Sequence, residues 1–268
     1  MKSKENLFQK SVIVVIVAIF CCLLWGSAFP CIKLGYQLFD IPSGDSSSQI
    51  LFAGIRFTLA GILVILAGSI MQGKLLKPSK SAITKVLKLC MFQTVLQYMF
   101  FYIGLAHITG VKGSIVNAVN VFFTILVSCL LFRLEKLDRQ KLIGCIIGFA
   151  GVIIVNLGGE FDMSFTFLGD GFLMISAFAY ALSSVLIKIY GKDENPVMLS
   201  GYQFTAGGLI MILAGLVMGG RLNAVTLQGI LLLLYMAFIS AGAYTLWSLL
   251  LKYNPVSKVA VFGFCTPI

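Results

Sequence analysis

Apolar runs follow one another along this chain with only short polar gaps between them. Nine segments can be drawn, at 11–37, 50–72, 86–106, 111–132, 140–158, 168–189, 197–219, 226–251 and 257–268. A helix needs about 20 mostly apolar residues to cross a hydrocarbon layer roughly 30 Å thick. The pattern therefore predicts an all-α integral membrane protein whose spans take up almost the entire length. The ninth segment, about twelve residues, is too short to cross on its own. The first run is longer than a signal-peptide core and has no A-x-A cleavage site, so it is read as a retained span.

The polar gaps carry an orientation. With the N-terminus placed inside, 16 of the 20 Lys and Arg residues fall at inner connections. The other four are Lys33, Arg56, Lys112 and Arg221. The opposite loops hold Asp40, Asp45, Glu160 and Asp162. This is the positive-inside bias. It predicts a multi-pass protein of the plasma membrane, the inner membrane of a bacterium, with a cytoplasmic N-terminus.

The runs also repeat. GIRFTLAGILVILAG (Gly54 to Gly68) and GYQFTAGGLIMILAG (Gly201 to Gly215) share 8 of 15 positions at an offset of 147. Trp25 to Lys33 aligns with Tyr180 to Lys188, and Tyr98 to Lys112 with Tyr244 to Lys258. Spans 1 to 4 thus match spans 6 to 9, with a five-span unit. An odd number of spans makes the second copy enter the membrane from the other side, so the halves are expected to be inverted. The domains expected are 1–158 and 168–268. On this register Phe122 aligns with Ile268, and a regular repeat would run about 35 residues further. The expectation is a ten-helix fold lacking its C-terminal end, with about nine spans present.

Composition narrows the function. Mean hydropathy is +1.00, and charged residues make up 11% of the chain against about 25% in soluble domains. The net charge of +10 sits in short loops, so it reads as topological and gives no support for nucleic-acid binding. The seven cysteines form no CxxC pair and there is one histidine, His107, at an outer turn. No metal site, cofactor or disulfide framework is expected.

LLWGSAFPCIK (Leu23 to Lys33), IRFTLAG (Ile55 to Gly61), GCIIGFAGVIIVNLG (Gly144 to Gly158) and AYALSSVLIK (Ala179 to Lys188) resemble EamA-type members of the drug/metabolite transporter superfamily. The resemblance covers the whole chain and rests on the order of these motifs within two repeats. It implies ten helices, a central cavity and export or exchange of small metabolites, with no particular substrate indicated. The end of the second repeat, which usually completes that fold, is where the chain departs from the pattern.

Polar side chains inside a membrane are costly unless they face protein or water, so they mark candidate positions. Ser114, Asn117, Asn120, Thr124 and Ser128 share one face of span 4. They read either as cavity lining or as interhelical hydrogen bonds. Ser176, Tyr180, Ser183 and Ser184 form a similar arc on span 6, and Gln93 pairs with Gln97 on span 3. The repeat couples Trp25 with Tyr180, Tyr98 with Tyr244, Phe101 with Trp247, and Arg56 with Gln203. Aromatic pairs of this kind could clamp an organic substrate from both sides, with interfacial belts or plain packing as the alternative. Arg56 reads either as the binder of a substrate carboxylate or as a side chain snorkelling to the outer headgroups, the latter also expected of Lys33 and Lys112. The candidate cavity set is Trp25, Arg56, Gln97, Tyr98, Asn117, Asn120, Tyr180, Gln203, Tyr244 and Trp247. Gly144, Gly148 and Gly151 on span 5 suit close helix packing, within the chain or across a homodimer.

All ten carboxylates lie in loops or at span ends, which leaves no mid-membrane proton carrier and favours facilitated diffusion or exchange. No Walker A sequence, HExxH or intramembrane Ser/His pair occurs, which argues against an ATP-driven pump or an enzyme. The reading is a secondary transporter of small organic solutes, partnered by its substrate and the bilayer. The alternative is a membrane receptor or accessory subunit.

Overall fold

The computed structural model describes residues 7–42, 44–156 and 164–266. Glu160 and Asp162 of the acidic outer loops lie outside that set, as do the last two residues of the second repeat. The described chain is all helical, in nine elements matching the nine apolar runs. They are α1 (Ser11–Leu38), α2 (Ser46–Gln72), α3 (Lys80–Ala106), α4 (Gly110–Leu126, continued by a π turn Val127–Leu131), α5 (Arg139–Asn156), α6 (Phe172–Tyr190, preceded by a π turn Phe167–Gly171), α7 (Pro196–Val217), α8 (Leu227–Tyr253) and α9 (Val256–Cys265, ending in a 3₁₀ turn). Seven are long and apolar enough to cross a membrane; α5 and α9 stand outside that group.

Helix ends lie where capping residues occur. Asp45 caps α2 by accepting from Ser48 N–H at 3.0 Å, and Ser79 caps α3 by accepting from Ala82 N–H at 3.1 Å. Thr109, Asn195 and Thr226 do the same for α4, α7 and α8. These caps satisfy donors that have no partner in the first turn. They also explain why α2 and α3 begin four and six residues before their apolar runs at 50 and 86. Their first turns are polar, and hydropathy alone misses them.

The centre of the bundle is the crossing of α2 with α7, the two copies of the fifteen-residue repeat. A Cβ on Gly54 would lie 2.9 Å from Gly208 O, and one on Gly208 would lie 2.7 Å from Gly54 O. A Cβ on Gly61 would lie 2.6 Å from Gly201 O. At the ends, Gly215 abuts Leu51 and Gly68 abuts Val197. Low numbers in one helix therefore meet high numbers in the other, so α2 and α7 run antiparallel. The contacts map onto each other under the 147-residue offset: Gly61 against Thr205 becomes Gly208 against Thr58. The two threonines also fold back identically, Thr58 onto Gly54 O and Thr205 onto Gly201 O, each at 2.9 Å. Small residues spaced by seven allow backbones to touch, which is what drives association where no hydrophobic effect exists between helices.

Around this seam α1 packs on α8, α6 on α3, and α4 on α6, with α5 and α9 at the periphery. At the basic end Lys85 pairs with Glu194 at 3.0 Å. Glu135, in the α4–α5 loop, accepts from Ser257 N–H at 3.2 Å and from Ser257 Oγ, and pairs with Lys141 at 3.2 Å. Burial alone would raise this carboxyl's pKa, but the Ser257 and Lys141 contacts outweigh it and hold it below its ordinary value.

Filling the seam should be severe and filling open glycine positions should not. Gly61→Leu is expected to lose at least about 3 kcal/mol of stability or fail to fold, because backbone must move. Gly144→Ala has nothing within 4 Å of its new Cβ and should leave thermal stability in detergent unchanged. Equal loss in both variants would contradict the seam. Glu135 adds an acid sensitivity. Because its folded pKa is lowered, its contribution is present above the ordinary carboxylate range near about 4 and disappears as pH falls through the folded value. Glu135→Gln should flatten the acid limb of melting temperature against pH.

Candidate functional site

A cavity of about 80 Å³ lies beside the seam, walled by α1, α2, α3, α4, α6, α8 and α9. It gathers Trp25, Arg56, Gln97, Tyr98, Asn117, Asn120, Tyr180 and Tyr244 into one space. These are eight of the ten candidate cavity residues, drawn from both copies of the repeat. Phe29 and Phe101 complete an aromatic lining, with ring centroids 6.0 Å apart.

The rings are arranged about the same two-fold relation as the seam. Phe57 and its repeat partner Phe204 stack on each other at 5.4 Å and 21°. Tyr98 packs on Phe57 at 4.2 Å, and Tyr244 packs on Phe204 at 4.9 Å. The Tyr98 and Tyr244 hydroxyls hydrogen-bond to each other where the halves meet. Trp25 sits edge-on to Tyr244 at 5.1 Å.

Arg56 is 3% exposed and does not snorkel. Arg56 lies six residues into the apolar run that begins at Ile50, about 9 Å along the helix axis at 1.5 Å per residue. Its Nε donates to Ser240 Oγ at 3.0 Å and Met236 O at 3.3 Å on α8, and its guanidinium lies 5.3 Å from the Phe57 ring centre. Among the described residues no carboxylate forms an ion pair with it.

Gln203 occupies the equivalent socket in the other half, but not the cavity. Thr94 Oγ1, the counterpart of Ser240, donates to Gln203 Oε1 at 2.6 Å, and Gln203 Nε2 donates to Gln93 Oε1 at 3.0 Å. Gln203 is 0% exposed. Its placement among cavity residues is thus corrected: a neutral amide can close its own hydrogen bonds locally, and Gln93 completes them. Trp247 is corrected likewise. It stands behind Trp25, rings at 4.9 Å and 62°, as a buried support.

A π segment at Cys90–Leu96 explains how α3 serves both places. There Gln97 N–H bonds to Phe92 O, five residues back. The widened turn rotates the remainder of α3 about its axis. Gln93 reaches Gln203 on α7, while Gln97 turns to the cavity and donates to Tyr244 OH at 3.4 Å. The polar stripe on α4 divides too. Asn117 and Asn120 line the cavity, whereas Thr124 bonds back to Asn120 O and Ser128 donates to Glu135. Of the span-5 glycines, only Gly148 meets a neighbour, the Phe264 ring on α9; Gly144 and Gly151 have nothing within 4 Å.

Lys112, expected to snorkel, does not. It is 7% exposed and pairs with Asp170 at 3.0 Å, joining the start of α4 to the turn before α6. Asp170 also accepts from Thr166 N–H at 2.7 Å and Thr166 Oγ1 at 3.1 Å. Lys33, by contrast, is exposed on the wall of a second, outer cavity of about 570 Å³. Ile32 borders both cavities. Among the described residues no group of three or more His, Cys, Asp or Glu side chains is placed to hold a metal.

Residues 12–157 and 167–268 match the EamA-like transporter family. The chain belongs to that family. It is similar to an uncharacterized transporter of Archaeoglobus fulgidus, 30% identical over 255 residues, covering 92% of this chain and 82% of that one. It is similar also to the uncharacterized inner membrane transporter YedA of Escherichia coli, 26% identical over 253 residues, with 92% and 76% covered. A crystal structure at 15% identity superposes with a TM-score of 0.75 over 95% of this chain and 84% of that one, which is a likeness of fold. This EamA-family chain is thus a multi-pass membrane transporter, and no enzyme.

The Lys112–Asp170 pair gives a direct test of burial. Removing one partner strands a charge, so Asp170→Asn should cost about 3–5 kcal/mol. The double variant Lys112→Met/Asp170→Leu should recover most of that, read as melting temperature of the purified transporter. An Asp170→Asn variant as stable as the parent would show that the pair is solvated.

Proposed function

We propose that this EamA-family transporter is a secondary transporter, exporter or exchanger, moving small organic solutes through the central cavity by alternating access. Its moving parts would be two inverted repeats of a five-helix unit, 1–158 with all five helices and 168–268 with four of them. The observation that carries the reading is the antiparallel contact of α2 with α7, whose pairings are reproduced by the 147-residue offset. Two copies of one structural unit with opposite direction can exchange conformations, so that each side of the membrane is opened in turn. Cavity side chains contributed by both copies, with tyrosine hydroxyls meeting at the junction, support a solute site at the point about which such a motion would turn. The Lys/Arg distribution and the inner-membrane relative support a plasma-membrane location with the N-terminus cytoplasmic.

The test is flux of a broad metabolite panel in proteoliposomes holding the full-length protein, without ATP. At least one solute should move down its gradient. Gly208→Ala, which places a methyl against Gly54 O at 2.7 Å, should slow that flux by tenfold or more, about 1.4 kcal/mol, while Gly151→Ala leaves it intact. Absence of flux for every solute, or flux indifferent to Gly208, would refute alternating access about this seam.

A further inference from the structure

Arg56 is a charge without a counter-charge. It is buried to 3% exposure on a cavity wall, within the apolar part of a membrane-crossing helix, and no described carboxylate pairs with it. Its repeat partner Gln203 is neutral and fully bonded. The same socket thus holds a closed amide on one side and an open cation on the other. A buried, unpaired charge is among the most expensive arrangements a protein can hold, and it persists where something else completes it.

The rest of the cavity describes what completes it. Among the described residues no Asp or Glu lines it to pair with a cationic solute. Two buried polar atoms on its wall have no hydrogen-bond partner among the described residues: Trp25 Nε1, a donor, and Gln97 Oε1, an acceptor. Phe29, Phe101 and Tyr180 supply flat apolar faces. A guanidinium binds carboxylates and sulfonates through paired N–H groups, and aromatic walls select a planar body.

We propose that the cavity takes a planar organic acid anion as the counter-charge of Arg56, and that the halves reorient only with this anion bound, so that transport is exchange of one anion for another. This rests on the alternating-access reading. An empty cavity must carry an uncompensated guanidinium through the closed intermediate of each cycle, where water is excluded and the charge is most costly. A bound anion cancels that charge. Return of the empty carrier is therefore the slow step, and an anion on the far side removes it.

Trp25 lines the cavity and the chain's other tryptophan, Trp247, packs against it from behind, so intrinsic fluorescence reports occupancy. The full-length transporter is titrated with benzoate and benzenesulfonate, with the neutral benzamide and with benzylammonium. The anions should quench saturably and bind roughly ten- to hundredfold tighter than benzamide, with no response to benzylammonium. Arg56→Gln should erase the preference for charge, and Arg56→Lys should keep part of it. Equal affinity for benzamide, preference for the amine, or no saturable response to either anion overturns the assignment. In proteoliposomes loaded with labelled benzenesulfonate, external benzenesulfonate should speed efflux by tenfold or more. Efflux at the same rate into anion-free buffer overturns the exchange step. Flux of some other solute in the same vesicles would leave alternating access standing, so the two readings fail separately.

Discussion

The packing of this molecule turns on one contact, the close approach of α2 to α7 along their glycines. Inside a membrane there is no gain from bringing apolar surfaces together, since lipid is as apolar as leucine. Two long helices hold only where their backbones come close enough for dispersion and weak polar contacts to act. Gly54, Gly61, Gly201 and Gly208 make that possible along one face, and Thr58 and Thr205 fill the intervening space while satisfying their hydroxyls on their own helices. α2 and α7 form a rigid cross, and the other spans pack outward from it.

The seam also sets the register of the cavity. Phe57 and Phe204, each three residues from a seam glycine, meet face to face beside it, and each carries a tyrosine of α3 or α8 on its outer edge. One step back along α2 and α7 come Arg56 and Gln203, held by equivalent hydroxyls, Ser240 and Thr94. Duplication thus produced two identical sockets, and divergence made them unequal. The amide half is a sealed polar core in which Gln93, Thr94 and Gln203 satisfy one another. The guanidinium half stays open to the cavity. Chemical asymmetry thus sits inside geometric symmetry at the junction of the two copies.

Much of this is legible without coordinates, and the reasons are physical. Hydrocarbon thickness fixes the length of an apolar run, so the nine elements stand within a few residues of their apolar segments. The discrepancies come where polar caps such as Asp45 and Ser79 extend a helix beyond its greasy part. The repeat, at offsets of 155, 146 and 147, pairs Trp25 with Tyr180, Tyr98 with Tyr244 and Arg56 with Gln203, and most of those side chains meet in one space. What the repeat cannot show is that equivalent positions have unequal surroundings. Gln203 groups with the cavity only through its equivalence to Arg56, and nothing in its own neighbours along the chain reveals Gln93 waiting across α3. The π segment that turns Gln93 and Gln97 to different partners leaves no mark on an apolar pattern. Lys112 looks like an end-of-helix lysine because Asp170 is 58 positions away.

By itself the sequence determined the solvent, the number and place of the helices, the family and the pairing of the two copies. Each of these depends on quantities that add along the chain: apolar length, local charge and identity at an offset. Only the tertiary structure decided which polar groups face the cavity, which satisfy one another in dry protein, and which charge remains alone. Those outcomes turn on distances of an ångström or two between residues far apart in sequence. At the middle of a membrane such a distance separates a closed hydrogen bond from an open charge.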